Sequence, residues 1–163
     1  MGVRCCGKLL GLIKFMYWER VSKKVLIKTA QEYPKAGAVG SAFDPVDGRV
    51  VGVVSGRTLE RPTYTMQLIA DELGGLGNKV LCPNPIGACV EFKGADILLK
   101  QGSVIGNIRF VPVIRPRTMS FLDPCAHCIE MLKKFNNGPV PQWQDFNLMF
   151  FPYTSFINTE FYE

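Results

Sequence analysis

The chain has 163 residues, 47% hydrophobic and 20% charged, with a formal net charge of +5. These proportions exclude a disordered or low-complexity chain, and the length suits one domain, expected to span residues 1–163. Six cysteines without regular spacing argue against a disulfide-stapled scaffold and for a reducing compartment, since a chain of this size buries enough apolar surface without staples.

The charge is unevenly placed. Residues 1–35 carry eight Lys or Arg against only Glu19 and Glu32, and no Lys or Arg follows Lys134. Such a basic end serves nucleic acid, an anionic membrane, or simply a solvated helix face. Its opening, MGVRCCGKLLGLIKFMYWERVSKK, is interrupted by Lys8 and Lys14, so it is too short and too charged to span a bilayer. It lacks the small-residue site of a cleaved secretory signal. Gly2, Cys5 and Cys6 are residue types used in lipidation, but Cys6 stands where a myristoylation motif wants Ser or Thr. A basic helix or extension over 1–24, packed on a core over 33–135, is the expectation.

From Ser22 to Tyr33 a helical mix ends at Pro34. The strongest strand signal follows, two runs of small and β-branched residues flanking DPVDGR. They predict a hairpin of Ala38–Phe43 with Arg49–Ser55, whose glycines require a closely packed neighbour. Met66, Leu68, Ile69 and Leu73 lie at helical spacing before Gly74-Gly75. A buried helix is expected from near Gly87 to Gly102, then a strand over NIRFVPVIRP. DPCAHCIEMLKKFNNG reads as a helix with Asp123 as N-cap, Pro124 first and Lys133-Lys134 in the last turn. FNLMFFPY reads as a last strand. This order predicts an α/β sandwich.

The chemistry concentrates in two places. Cys125 and Cys128 stand three apart at a helix start, where backbone N–H groups and the helix dipole favour the thiolate that binds metal. His127 sits between them at i+2, about 200° around the helix from Cys125, and is expected off the metal face as an exposed or supporting residue. Cys89, at another helix start with Glu91 two residues on, is the better third ligand. Three thiolates suit Zn²⁺ and leave a fourth position for water, while Glu91 is placed to move protons. A four-cysteine element of Cys82, Cys89, Cys125 and Cys128, and metal-free buried cysteines, are the bland alternatives.

Cys89-x-Glu91 followed by Pro124-Cys125-x-x-Cys128 matches the zinc-deaminase signature. Residues from about Tyr33 to Phe135 resemble the cytidine deaminase superfamily, and within it the YwqJ-like group of bacterial polymorphic-toxin deaminases. Val90, Ala126 and His127 depart from that group's usual residues. The resemblance implies a three-layer α/β/α sandwich with a mixed sheet of about five strands. It further implies Zn²⁺ on Cys89, Cys125 and Cys128, Glu91 as proton shuttle, and a toxin domain acting in the cytoplasm and countered by an immunity protein.

Free-nucleoside deaminases carry Asn-x-Glu where this chain has Ser55-Gly56-Arg57. A base within single-stranded nucleic acid is therefore expected in place of a free nucleoside; cytosine, in DNA ahead of RNA, is the expected substrate, although this motif does not itself choose between bases or sugars. Ser55, Ala88, Phe121, Pro124, Arg57 and Arg115 are the candidate contacts, with Arg61, Arg117 and the aromatic tail from Trp143 to Tyr162 as further ones. Deamination of a free nucleoside, nucleotide or base, and a catalytically inactive zinc-stabilised interaction module, are the alternatives.

Overall fold

The computed structural model describes the backbone of residues 3–136 and the side chains of residues 10–135. In chain order the elements are α1 (Val3–Glu32), β1 (Val39–Asp44), β2 (Arg49–Val54), α2 (Tyr64–Glu72) and α3 (Val90–Lys100). A 3₁₀ turn (Ile105–Asn107), β3 (Arg109–Phe110), β4 (Val113–Arg115), β5 (Ser120–Leu122) and α4 (Ala126–Asn136) follow. The strand expected over FNLMFFPY and the aromatic tail lie outside the described residues.

Mixed α/β architecture is present, with five strands ordered β2-β1-β4-β5 and β3 also pairing β1. Every described pairing is antiparallel, where the resemblance implied a mixed sheet: hairpins supply the β1–β2 and β4–β5 neighbours, and β3 and β4 each run against β1. The hairpin β1–β2 pairs Val39 with Val54 and Asp44 with Arg49. Its turn is built by Asp44, whose Oδ1 accepts the Val46 and Asp47 N–H groups at 2.9 and 3.2 Å. Gly48, at φ +71°, supplies the left-handed residue that closes the reversal.

Strand β1 is buried along its whole length, and its side chains alternate between two helical layers. Ser41 faces α1, where its Oγ accepts the Ser22 hydroxyl at 2.7 Å; Phe43 packs with Leu26 and Ala30 on that side. Gly40 and Ala42 face α3. A Cβ on Gly40 would lie 2.4 Å from Val90 Cγ1, and one on Gly94 2.9 Å from Ala42 Cβ. Gly52 on β2 meets α1 in the same way, 2.1 Å from Thr29 Oγ1. The small residues therefore let both helices approach the sheet, which is the close neighbour the sequence required. Helix α3 in turn packs with α2 and α4 around Met66, Ile69, Phe92, Ala95, Met131 and Phe135. The layers run α1, sheet, then α3 with α2 and α4, an arrangement compatible with a three-layer sandwich.

Several expectations need adjustment. The basic extension and the helix expected from Ser22 are one continuous α1, since no proline interrupts the chain before Pro34. The strand expected over residues 107–116 divides into β3 and β4, with Pro112, which has no N–H to give a ladder, between them. The following β5 was not foreseen. Helix α4 begins at Ala126, and Cys125, whose carbonyl accepts the Ile129 N–H at 3.0 Å, takes the capping place expected for Asp123.

The close approaches make a signed prediction. Gly52→Val should lower stability by about 1–3 kcal/mol, as overpacking does. Gly11→Ala, with nothing within 4 Å of the added Cβ in mid-helix, should raise it by up to about 1 kcal/mol. Thermal unfolding of both variants followed by circular dichroism checks this; equal shifts would refute the packing assignment.

Candidate metal centre

The starts of α3 and α4 meet at one edge of the helical layer. Cys89 is the N-cap of α3, extended at φ −74° and ψ 157°, and Cys125 occupies the corresponding place before α4. Cys89 Sγ lies 3.3 Å from Cys125 Sγ, and Cys125 Sγ lies 3.5 Å from Cys128 Sγ. All three sulfurs are within 4.8 Å of one another, a set able to hold a metal ion. Thirty-six residues separate the first from the second. Their meeting is a product of the fold: Val90, immediately after Cys89, packs on the sheet with Val53 and Val113, while Met131 and Leu132 pin α4 to α3.

Glu91 stands in the first turn of α3, 4% exposed, with Oε2 accepting the Cys128 thiol at 3.3 Å. Burial pushes its carboxyl above the usual carboxylate range. The sulfurs polarise one another. Hydrogen bonding with Cys128 and with Cys89 holds Cys125 well below an ordinary thiol. Its hydrogen bond to Cys125 pushes Cys89 up to about 12, and Cys128 is raised for the same leading reason. Without an ion, the cluster thus carries its negative charge on Cys125.

A second group shares that sulfur. Cys82, Cys125 and His127 also lie within 4.8 Å of one another through their donor atoms. Cys82 comes from the loop between α2 and α3, where backbone bonds of 2.9 Å join Gly77 N–H to the Ile86 carbonyl and Ile86 N–H to the Asn78 carbonyl. His127 is only 1% exposed, so it is not the exposed residue allowed for above. Its position keeps it out of the three-sulfur group, as the helical geometry implied, and turns it to this loop. Nε2 accepts the Leu81 N–H at 3.0 Å, which puts the imidazole proton on Nδ1, 3.2 Å from Cys82 Sγ. The ring thereby fastens the Cys82 loop to α4. Sequence reading missed this pairing; the signal was a lone histidine bracketed by cysteines, off the helix face they share, with one further cysteine in a glycine-rich loop. Lys93 was missed too: its Nζ donates to the Val54 carbonyl at 3.3 Å, and burial lowers its pKa.

The candidate substrate contacts divide: Ser55, Ala88 and Pro124 adjoin the cysteines, whereas Arg61 lies at the far end of α3, where its carbonyl accepts the Lys100 ammonium at 2.6 Å. The Gly56 N–H donates to the Ala88 carbonyl at 3.2 Å, so Ser55 and Ala88 converge beside Cys89. Ser55 Oγ accepts the Ala38 N–H at 3.0 Å. Pro124 is half-buried next to Cys125. Arg115 lines a cavity of about 290 Å³ with Arg117, Ala36 and Gly37, and a Cβ on Gly37 would touch Ser55 Oγ at 3.5 Å. Phe121 lies on β5, opposite Ile114 and 46% exposed. Arg57 and Arg61 are exposed in the segment after β2.

No protein-family model, curated protein or solved structure matches the chain.

The protonation pattern is directly measurable. Loading the metal-free protein with Zn²⁺ at neutral pH should release about two thiol protons per ion, from Cys89 and Cys128, because ligand thiols must be deprotonated. Titration calorimetry in buffers of different ionisation enthalpy reads this number. Cys128→Ser should reduce it by about one, and a release of none would contradict the cluster.

Proposed function

We propose that this chain is a zinc-dependent hydrolytic deaminase of cytosine in single-stranded nucleic acid, DNA in preference to RNA, of the toxin type. The observation that carries the reading is the placement of Glu91. A buried carboxyl with raised proton affinity abuts the sulfur cluster, where a purely structural site would have no use for it.

The residues fit zinc. Tetrahedral Zn²⁺ with bonds of about 2.3 Å sets its sulfurs about 3.8 Å apart, and the observed 3.3 and 3.5 Å need only slight opening. An ion bound by Cys89, Cys125 and Cys128 supplies Lewis acidity toward water. Glu91 does the proton work: its carboxylate takes one proton from the attacking water and gives it to the ring nitrogen N3, then takes the proton of the new C4 hydroxyl and gives it to the exocyclic amine. A C–O bond forms at C4 of cytosine and becomes the carbonyl as the exocyclic C4–N bond breaks, and ammonia leaves. Burial suits Glu91 to both halves of that cycle, since a carboxyl of ordinary acidity returns a proton less readily.

Two features support a polynucleotide. Arg115 and Arg117 share a cavity that adjoins Ser55 through Gly37, a place for backbone phosphate beside the centre. Ser55-Gly56-Arg57 offers no Asn-x-Glu pair for a free ribose. One observation favours a second reading, the inactive zinc module. Cys82 and His127 crowd Cys125, and a Cys82 sulfur drawn onto the ion would fill the position that hydrolysis needs.

Glu91→Ala should lower turnover by about a thousandfold while zinc content stays near one per chain. The assay follows uracil formation in single-stranded DNA, single-stranded RNA, duplex DNA and free cytidine, beside metal analysis. Undiminished turnover in Glu91→Ala would remove its role. Zinc binding without deamination of any of these substrates would favour the module, and turnover of cytidine alone would overturn the polynucleotide assignment.

A further inference from the structure

Among the described residues, helix α1 meets the rest of the fold on one side only. Phe15 and Trp18 pack against the core with Leu26, Val39 and Phe43; the Phe15 and Phe43 rings are 5.6 Å apart, and Trp18 covers Gly48 in the hairpin turn. The remaining apolar side chains of that stretch face the opposite way. Leu10, Leu12, Ile13, Met16 and Tyr17 are 64%, 50%, 55%, 47% and 59% exposed. At 100° per residue they span a continuous arc of about 160°. A helix whose core-facing stripe is already buried has no folding reason for a second apolar stripe in water.

Charge identifies what would cover it. Residues 1–18 contain Arg4, Lys8 and Lys14 and no Asp or Glu. Lys14, exposed, borders one edge of the arc, and Lys8 holds the register position bordering the other. A second copy placed face to face would gather these cations with no counter-charge among the same residues. An anionic bilayer surface provides the counter-charge and accepts the apolar arc together, with lysines on the flanks reaching the headgroups. The helix is not a span: no described helix is long and apolar enough to cross a membrane.

We infer that the first half of α1 is an interfacial docking surface for anionic phospholipid, lying in the membrane plane while Phe15 and Trp18 keep it attached to the sheet. This inference stands apart from the metal centre.

The test is co-sedimentation of the full chain with vesicles of phosphatidylcholine alone and of phosphatidylcholine mixed with phosphatidylglycerol. Binding to the mixed vesicles should be about thirtyfold tighter, from the two lysines that flank the arc, and should weaken with added salt. Leu10→Gln with Ile13→Gln should abolish it, and Lys14→Glu, which reverses one of those charges, should weaken it about thirtyfold. Lys79→Glu, the same charge change at an exposed position in the loop between α2 and α3, should leave it nearly intact. Circular dichroism confirms that each variant stays folded, since only exposed positions are altered. Absent binding, equal binding to both vesicles, or equal loss with Lys79→Glu would overturn the proposal. So would a dimer in sedimentation that Leu10→Gln with Ile13→Gln converts to monomer, which would assign the arc to a second copy.

Discussion

Three sulfurs crowded within 4.8 Å, with a buried carboxyl against one of them, pose an electrostatic problem that the rest of the fold has to hold in place. Like charges at this spacing resist ionising together, so without a metal the charge falls most readily on Cys125, whose pKa is lowered, while those of Cys89, Cys128 and Glu91 are raised. A divalent cation removes the conflict and binds the deprotonated thiols. The arrangement is stable as geometry because none of its members sits on a free loop end. Cys89 caps a helix whose next residue is locked against the sheet, and Cys128 is fully buried on a helix packed to the first.

That geometry descends from small residues in the sheet. Gly40, Ala42 and Gly52 let α1 and α3 approach a strand buried on both faces, and the approach of α3 fixes where Cys89 and Glu91 point. The glycine-rich loop before α3 has a separate task. It brings Cys82 against His127 and within reach of Cys125 at the start of α4.

Much of this was legible in the sequence because it rests on local rules. The hairpin follows from Asp47-Gly48 between β-branched runs, and the α2 and α3 spans from apolar spacing ended by glycine. The three-sulfur set was legible as residue types at two helix starts. Other features depend on tertiary partners. Strand β5 is three residues long and exists because β4 pairs with it; no propensity rule finds so short a strand. Capping by Cys125 in place of Asp123 shifts the helix start by two residues, inside the usual uncertainty of boundaries. The role of His127 depended on a loop 46 residues away, which periodicity can only say it faces. The exposed arc on α1 was likewise hidden, since which apolar stripe packs inward is decided by Phe15 and Trp18 finding the sheet.

The central claim is the ligand set. X-ray absorption at the zinc K-edge of the zinc-loaded protein measures it most directly, by counting sulfur and lighter neighbours around the ion. The account predicts three sulfurs and one oxygen, with Cys82→Ser leaving the spectrum unchanged. Four sulfurs in the wild type that become three in Cys82→Ser, or a shell with no sulfur at all, would contradict it.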